Sequence, residues 1–175
     1  MTSVLPSQQI QHIEHVLLGD HWQMILLDSQ VVGVPHGRLS DQQLALLEDK
    51  LTQYADRHTL ILLHHHPILV GSAWLDKHTL KDAQDFWNVV DKHDNVNAIL
   101  CGHVHQDMNV IHNNVRVMAT PSTCVQFKPN SDDFALDTRS PGWRELELKR
   151  DGQVETLVKR LPQGSFQPDF NSAGY

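Results

Sequence analysis

Two short histidine-bearing stretches each follow an apolar run of the chain. Three consecutive histidines at 64–66 follow residues 59–63, and a Gly-His-Val-His sequence at 102–105 follows residues 96–100. Apolar runs of this length without alternation are typical of buried strands. Imidazole is the commonest neutral metal ligand, and neighbouring strand ends can bring several ring nitrogens to one point. The pattern therefore predicts half of a metal site.

The triple histidine cannot supply three ligands to one ion if the strand continues through it. Successive side chains of a strand point to opposite faces, so His64 and His66 would share one direction while His65 takes the other. The alternative interpretation is a strand end exposed to water. Pro67, which stops the run, and the similar arrangement after the next strand favour a metal role for at least one of the three.

The Gly-His-Val-His sequence is the stronger indication of a metal site. Gly102 permits a sharp turn just past the strand, and residues i and i+2 of an extended chain lie on one side. On this basis His103 and His105 would direct two ring nitrogens into one cavity. Histidine is abundant, with 13 residues, so most of the others are interpreted as solvated bystanders.

The elements that must position these histidines follow a strand and helix alternation. Strands are predicted at 23–28, 59–63 and 96–100, and helices at 40–55 and 79–93. Ser40 and Gln43 have the spacing of a capping box at the start of the first helix. This order predicts a layered α/β fold with functional loops at the carboxyl ends of the strands.

The rest of the chain has a different character. Residues 108–119 and 143–160 are predicted to form two hairpins, with turns at His112-Asn113-Asn114 and around Asp151-Gly152. Residues 161–175 form an irregular tail, so a single domain is predicted over 1–160. The small hydroxylated residues at 119–124 leave two interpretations open, a phosphate-binding loop and a plain turn.

Composition excludes several classes of protein. The formal net charge of -7 and the pI near 5.9 argue against nucleic-acid binding, which draws affinity from Lys and Arg against phosphates. No apolar stretch is long enough to span a bilayer, and the first residues lack the pattern of a signal peptide. Two cysteines are too few for a disulfide framework. The chain is expected to be cytoplasmic, without a nucleic-acid or membrane partner.

An apolar strand ending in His-His-Pro, followed by one ending in Gly-His-x-His, resembles the C-terminal half of the calcineurin-like metallophosphoesterases. Within that superfamily the chain is similar to the bacterial 3′,5′-cyclic AMP phosphodiesterases, the class III cyclic nucleotide enzymes. The similarity covers most of the chain and is carried by the following segments: residues 26–30, 33–37, 63–67, 101–105, 119–129 and 141–143.

The resemblance implies part of a four-layered α/β-β/α sandwich and metal-dependent hydrolysis of 3′,5′-cyclic AMP to 5′-AMP. It implies two metal ions, typically iron and manganese, in the intact enzyme. Carried over by position, His65 and His103 bind one ion and His105 binds the other. His64 and His66 have no ligand role in the family pattern and are interpreted as neighbours of the site.

The N-terminal motifs of the family have no match in the chain. Asp-x-His and Gly-Asn-His-Asp do not occur before Leu26, and the isolated Gly19-Asp20 dipeptide is not flanked by them as in the family, so the strands and helices that carry these motifs, the bridging carboxylate and the general acid are expected to be missing. No catalytic residue is assigned. Two cations about 3.5–4 Å apart repel strongly without anionic ligands, so at most one weakly bound ion is expected here. We expect a C-terminal portion with weak or no activity.

The sequence leaves two alternatives open. One is activity on other phosphodiesters, since the ligand residues do not distinguish substrates. The other is a non-catalytic interaction or regulatory module that binds metal incidentally. In either case a homo-oligomer could cover the apolar faces of an incomplete sheet.

Overall fold

The computed structural model describes residues 13–166 and 168–170. The described residues form ten strands and three helices. In chain order these elements are β1 (His15–Leu18), β2 (Trp22–Leu27), α1 (Asp41–Gln53), β3 (His58–Leu63), α2 (Ala73–Asp76), α3 (Ala83–Val90), β4 (Val96–Cys101), β5 (Met108–His112), β6 (Val115–Ala119), β7 (Gln126–Phe127), β8 (Leu136–Asp137), β9 (Gly142–Leu148) and β10 (Val154–Arg160).

Six strands form the central sheet in the order β1-β2-β3-β4-β6-β5. The inner strands β2, β3, β4 and β6 are parallel, while β1 and β5 pair antiparallel at the two edges. The predicted α/β class and the strands carrying the histidines are confirmed. The edge strand β1 and the short pair β7 and β8 were not predicted, because each is too short for a recognisable pattern.

The parallel strands are buried on both faces, as their continuous apolar composition indicates. On one face Ile61 and Ile99 pack in a core with Leu47 of α1 and Phe86 of α3. On the other face a second core covers the sheet through residues of the strands and of the β9 and β10 hairpin: Trp22, Leu60, Ala98, Met118 and Val154. Helices, sheet and hairpin therefore form three layers, which is the order expected for part of the four-layered sandwich.

The first predicted helix forms, but its capping box closes only on one side. Ser40 precedes α1, and its hydroxyl accepts a hydrogen bond from the Gln43 backbone N–H. The Gln43 side chain does not return to Ser40. Its Oε1 accepts from the Asp28 N–H at 2.8 Å, and its Nε2 donates to Glu14. The Gln43 side chain therefore bonds to residues distant in the chain instead of to the Ser40 backbone, and it connects α1 to the end of β2.

The helix predicted over 79–93 is wrong at its start. The helix α3 begins only at Ala83, and α2 forms separately upstream. Leu80 is held out of a helix because its N–H donates to the His66 carbonyl and because it bridges to Gly37. The Asp82 carboxylate accepts from the Leu39 N–H. Long-range hydrogen bonds therefore override the local helical periodicity.

Both predicted hairpins are confirmed. Asn113 and Asn114 connect β5 to β6 with φ of 48° and 66°, the left-handed pair that a tight two-residue hairpin turn needs.

The described part of the 161–175 tail, residues 161–166 and 168–170, contains no strand or helix, and its other residues lie outside the description. The domain boundary at 160 stays a prediction. In the part of the chain that the structure describes, no helix is long and apolar enough to cross a membrane.

Candidate metal centre

The candidate site lies where three neighbouring parallel strands end. Ser29 follows β2, the histidines 64–66 follow β3, and the segment 102–105 follows β4. Because these strands are parallel, their carboxyl ends meet at the same edge of the sheet. The Gly102 N–H donates to the His64 carbonyl at 3.1 Å, which joins the second and third of these loops.

Three histidines converge at this edge. His64, His65 and His103 each direct a ring nitrogen to a common region, where the ligand atoms lie within 4.8 Å of one another. The His64 Nε2 and His103 Nδ1 atoms are 3.3 Å apart. The ring centroids are separated by 4.8 Å for His64 and His65, 4.9 Å for His65 and His103, and 5.2 Å for His64 and His103. We call these three residues the imidazole cluster.

The alternation predicted for the triple histidine is wrong. The strand β3 ends at Leu63, so the backbone is no longer extended when the histidines begin. His64 and His65 therefore approach the same region instead of pointing to opposite faces. His66 lies beside them, fully buried, with its ring nearly parallel to that of His103 at 5.8 Å.

The extended conformation predicted for residues 103–105 is also wrong. His103 and His105 have φ values of 63° and 50°, in the left-handed region that costs a residue with a side chain about 1–2 kcal/mol. The His105 ring stacks on Phe127 at 4.2 Å, and its Nδ1 lies 3.0 Å from the Val125 carbonyl oxygen. His105 is therefore placed outside the imidazole cluster, and its assignment as a ligand stays a prediction.

His65 is oriented by two residues outside the histidine motifs, Ser29 and Gly37. Its Nδ1 lies 2.8 Å from the buried Ser29 Oγ. A Cβ atom on Gly37 would come within 2.4 Å of the His65 ring, so only glycine fits beside it. Contacts of this kind commonly set the orientation of a metal-binding histidine.

The loop before α3 is tied to the back of the cluster. The Thr79 hydroxyl donates to the His66 carbonyl at 2.6 Å, and the Gly37 N–H donates to the Thr79 carbonyl at 3.2 Å. The His66 Nε2 lies 3.6 Å from Asp76 Oδ1, beyond hydrogen-bond distance. These contacts give His66 and its neighbours a supporting role behind the cluster.

The histidines of the site are held in their neutral form. Burial, together with the neighbouring His64, lowers the pKa of His65 to about 4. Burial and the neighbouring imidazoles lower the pKa of His103 to about 3. A neutral imidazole has a lone pair for a metal ion.

One buried nitrogen of the cluster has no protein partner. His103 Nε2 makes no hydrogen bond within the described residues, and an unsatisfied buried polar atom costs about 1–3 kcal/mol. The His103 ring turns its Nδ1 toward His64, and the donor set of three imidazoles fits a bound metal ion. The cluster itself contains no carboxylate.

The segment 119–124 has the contacts of an ordered turn. The Ser122 hydroxyl accepts from the Cys124 N–H at 3.0 Å, and the Gln126 side chain bonds to both the N–H and the carbonyl of Ser122. The Ser122 hydroxyl oxygen and its backbone groups are therefore bonded within the loop. These contacts favour the plain-turn interpretation.

Comparison with known proteins shows similarity along the whole chain, although no protein-family model matches it. The chain is 69% identical over 175 residues to a protein of Vibrio vulnificus named 3′,5′-cyclic adenosine monophosphate phosphodiesterase CpdA. Proteins of the same name from Escherichia coli K12 and Haemophilus influenzae are 51% and 49% identical over the same length. A solved dimetal phosphatase from Danio rerio matches with a TM-score of 0.46 and 19% identity, over 71% of this chain and 39% of that one.

These sequence matches confirm the resemblance. The chain is similar along its whole length to proteins named cyclic nucleotide phosphodiesterases. Among them it is similar to the bacterial proteins named CpdA over its full length, and it spans 64% of the length of each of the three named above.

Proposed function

We propose that the chain carries part of the active site of a metal-dependent phosphodiesterase that hydrolyses 3′,5′-cyclic AMP to 5′-AMP. The observation that carries this proposal is the 69% identity over all 175 residues to a protein of that name. The imidazole cluster at the carboxyl ends of β3 and β4 supports it, because a metal-dependent hydrolase needs convergent nitrogen or oxygen ligands.

As part of the same proposal, the intact enzyme uses iron and manganese or similar ions. His65 and His103 are the ligands of one ion, and His105 is a ligand of the other. Bound ions of this kind supply Lewis-acid stabilisation of the phosphoryl oxygens and lower the pKa of a water molecule. Ser29 and Gly37 orient His65 for this role, and the buried setting of His103 keeps its ring neutral.

We further propose that these 175 residues alone hydrolyse the substrate weakly or not at all. The imidazole cluster is neutral and contains no carboxylate. Two neighbouring divalent ions need anionic ligands between them to offset their repulsion. A single ion, without a general acid positioned at the leaving oxygen, provides only a small part of the stabilisation that the transition state needs.

The test is a cyclic AMP hydrolysis assay of the purified chain with added manganese, following 5′-AMP by chromatography. We expect turnover far below that of the Vibrio vulnificus relative assayed in parallel. His103→Ala and chelator treatment should remove any residual activity. Turnover equal to that of the relative would refute the proposed weakness, and activity that survives chelation would refute metal dependence.

The substrate remains cyclic AMP in this proposal, with other phosphodiesters as the competing candidate. A panel containing 3′,5′-cyclic GMP, 2′,3′-cyclic AMP and a nitrophenyl phosphodiester separates the two, measured with the relative and with the chain. Preference for a substrate other than 3′,5′-cyclic AMP would favour a broader metallophosphoesterase. Absence of hydrolysis by both proteins would favour a non-catalytic role.

We also propose a cytoplasmic location and self-association. The two cysteines, Cys101 and Cys124, are free thiols, which suits a reducing compartment. Trp143 and Leu157 are 40% and 57% exposed on the outer face of the β9 and β10 hairpin. The register pairs Leu157 with Glu145, two residues from Trp143, so the two apolar side chains are diagonal neighbours. A second copy of the chain could cover this pair.

A further inference from the structure

We propose that Trp74 recognises the purine base of the substrate, with its indole N–H donating a hydrogen bond to a ring nitrogen of the base. The inference rests on the proposed function, because it takes the substrate to be a cyclic purine nucleotide. It deepens that function by assigning the base a partner outside the histidine motifs.

The buried polar groups without partners are concentrated at one edge of the sheet. Within residues 13–166 and 168–170, such side-chain atoms belong to the following residues: His66, Trp74, His103 and Gln106. All four lie in the segments that follow β3 and β4. Buried polar groups are almost always hydrogen-bonded in native proteins, so a concentration of exceptions indicates a surface that a ligand completes. Trp74 Nε1 is a donor only and, unlike a histidine nitrogen, has no lone pair for a metal ion.

Trp74 differs from the other buried tryptophans in what its N–H contacts. Trp74 is 8% exposed, and its Nε1 has no acceptor among the described residues. By contrast, Trp22 Nε1 donates to the Lys149 carbonyl, and Trp87 Nε1 donates to the Pro67 carbonyl at 3.0 Å. A buried tryptophan N–H usually has a hydrogen-bond partner. The donor of Trp74 is therefore free for an acceptor on a ligand.

The surroundings of Trp74 are aromatic and border the histidines. Its ring centroid lies 5.0 Å from that of Phe127 and 5.2 Å from that of Phe134, both in edge-to-face arrangements. The His78 ring lies 6.4 Å from Trp74 on one side and 6.4 Å from His103 on the other. Nucleobases stack on aromatic side chains. Aromatic rings and a free N–H donor together suit a purine, which has a flat face and ring nitrogens that accept hydrogen bonds.

Phe134 is the partly exposed ring of this group, and a base can displace it. Trp74 and Phe127 are buried, whereas Phe134 lies half-buried in the loop between β7 and β8. A hydrogen bond from the Ser131 N–H to the Ser72 Oγ connects this loop to the segment before α2. At 3.4 Å this bond is long and therefore weak. Rotation of the Phe134 ring away from Trp74 would open a place for the base beside the indole.

The test is equilibrium dialysis of the purified chain with radiolabelled adenosine in the presence of a chelator. Adenosine has the base but no phosphate, so its binding does not depend on a metal ion. The analogues 1-deaza-, 3-deaza- and 7-deazaadenosine each replace one ring nitrogen with a C–H group. We expect one of them to bind about 3–10-fold more weakly than adenosine, the usual effect of losing one neutral hydrogen bond.

Trp74→Phe removes the N–H and keeps an aromatic ring. It should weaken adenosine binding by about 3–10-fold. The analogue that binds poorly to the unchanged chain should then bind to this variant as well as adenosine does, because the two changes remove the same hydrogen bond. Trp87→Phe is the matched control and should leave adenosine affinity unchanged, since the Trp87 N–H already has a protein acceptor. Thermal unfolding checks that both variants fold.

The results that would overturn the inference are distinct from those that concern hydrolysis. No binding of adenosine, equal binding of adenosine and all three analogues to the unchanged chain, or an analogue deficit that persists in Trp74→Phe would each overturn it. The analogue comparison uses the unchanged chain, so it decides the question even if Trp74→Phe does not fold. Failure of the proposed function appears separately, as an absence of 5′-AMP formation by the Vibrio vulnificus relative.

Discussion

Single residues around the histidines decide how the cluster is arranged. Gly37 and Ser29 contact the His65 ring from the loop after β2, and neither residue is expected to bind a metal. Their effect is steric and orienting, and it depends on residues far apart in the chain. The left-handed backbone at His103 similarly directs its ring toward His64 and His65. Such strain persists only where surrounding contacts hold it.

Gly37→Ala is the sharpest residue-scale test of this support. The added Cβ would lie 2.4 Å from the His65 ring, so the ring or the loop must move. We expect a loss of about 1–3 kcal/mol in the free energy of unfolding, the usual cost of overpacking. Cobalt affinity should fall by about 10–100-fold, as for other residues that orient a ligand. Urea denaturation and cobalt titration measure the two effects.

Gly102→Ala is the control for that experiment. Its Cβ would meet the His64 ring at 3.4 Å, an ordinary contact distance. Little change in cobalt affinity is expected, although the residue also lies beside the cluster. Equal effects of the two substitutions would show that Gly37 has no special relation to His65.

At the scale of elements, the strand ends and the start of the first helix were predictable, and the start of the helix expected over 79–93 was not. The apolar runs of β3 and β4 are buried on both faces, so composition alone identifies them. Residues 79–82 have helical periodicity, but their backbone groups bond to Gly37 and His66, and the Asp82 carboxylate accepts from the Leu39 N–H. Those partners are brought near by the sheet, and local sequence carries no information about them.

Arg144 of β9 joins the β9 and β10 hairpin to the strands β5 and β6 of the central sheet. Its guanidinium donates to the Ala119 carbonyl at 3.0 Å, to the Met108 carbonyl at 3.0 Å, to the Thr156 hydroxyl at 2.9 Å and to Asp107. The side chain is only 3% exposed. It therefore holds the end of β6 and the start of β5 against the hairpin layer.

Arg144→Met should destabilise the chain by about 2–4 kcal/mol in urea denaturation. The methionine fills much of the space, but buried carbonyls and a charged partner lose their donor. Arg139→Met is the matched control, since Arg139 pairs with Asp137 and is 42% exposed. Exposed ion pairs of this kind contribute about 0–1 kcal/mol to the free energy of unfolding. Equal losses in both variants would contradict the role given to Arg144.

At the scale of the whole molecule, the sheet separates two apolar cores. The helices α1 and α3 cover one face, and the β9 and β10 hairpin covers the other. The hairpin has one face on the sheet and one face outward, where Trp143 and Leu157 are exposed among charged residues. That outward face is where the proposed self-association belongs.

Sedimentation velocity tests the proposed self-association. We expect the unchanged chain to form a dimer at micromolar concentration and Leu157→Glu to be monomeric, because a buried unpaired carboxylate opposes association. Ile111→Glu is the control, since Ile111 is 67% exposed on the edge strand β5. A monomeric unchanged chain, or equal dissociation by both variants, would contradict a hairpin interface.

The sequence by itself determined the α/β class, the two strand ends that bear histidine and the resemblance to cyclic nucleotide phosphodiesterases. These follow from hydrophobic periodicity and from motifs that are local in the chain. Only the tertiary structure decided which rings converge, because β3 ends before the triple histidine and the backbone turns left-handed at His103 and His105. Ring direction depends on contacts between distant loops, and alternation along a strand ceases to apply where the strand stops.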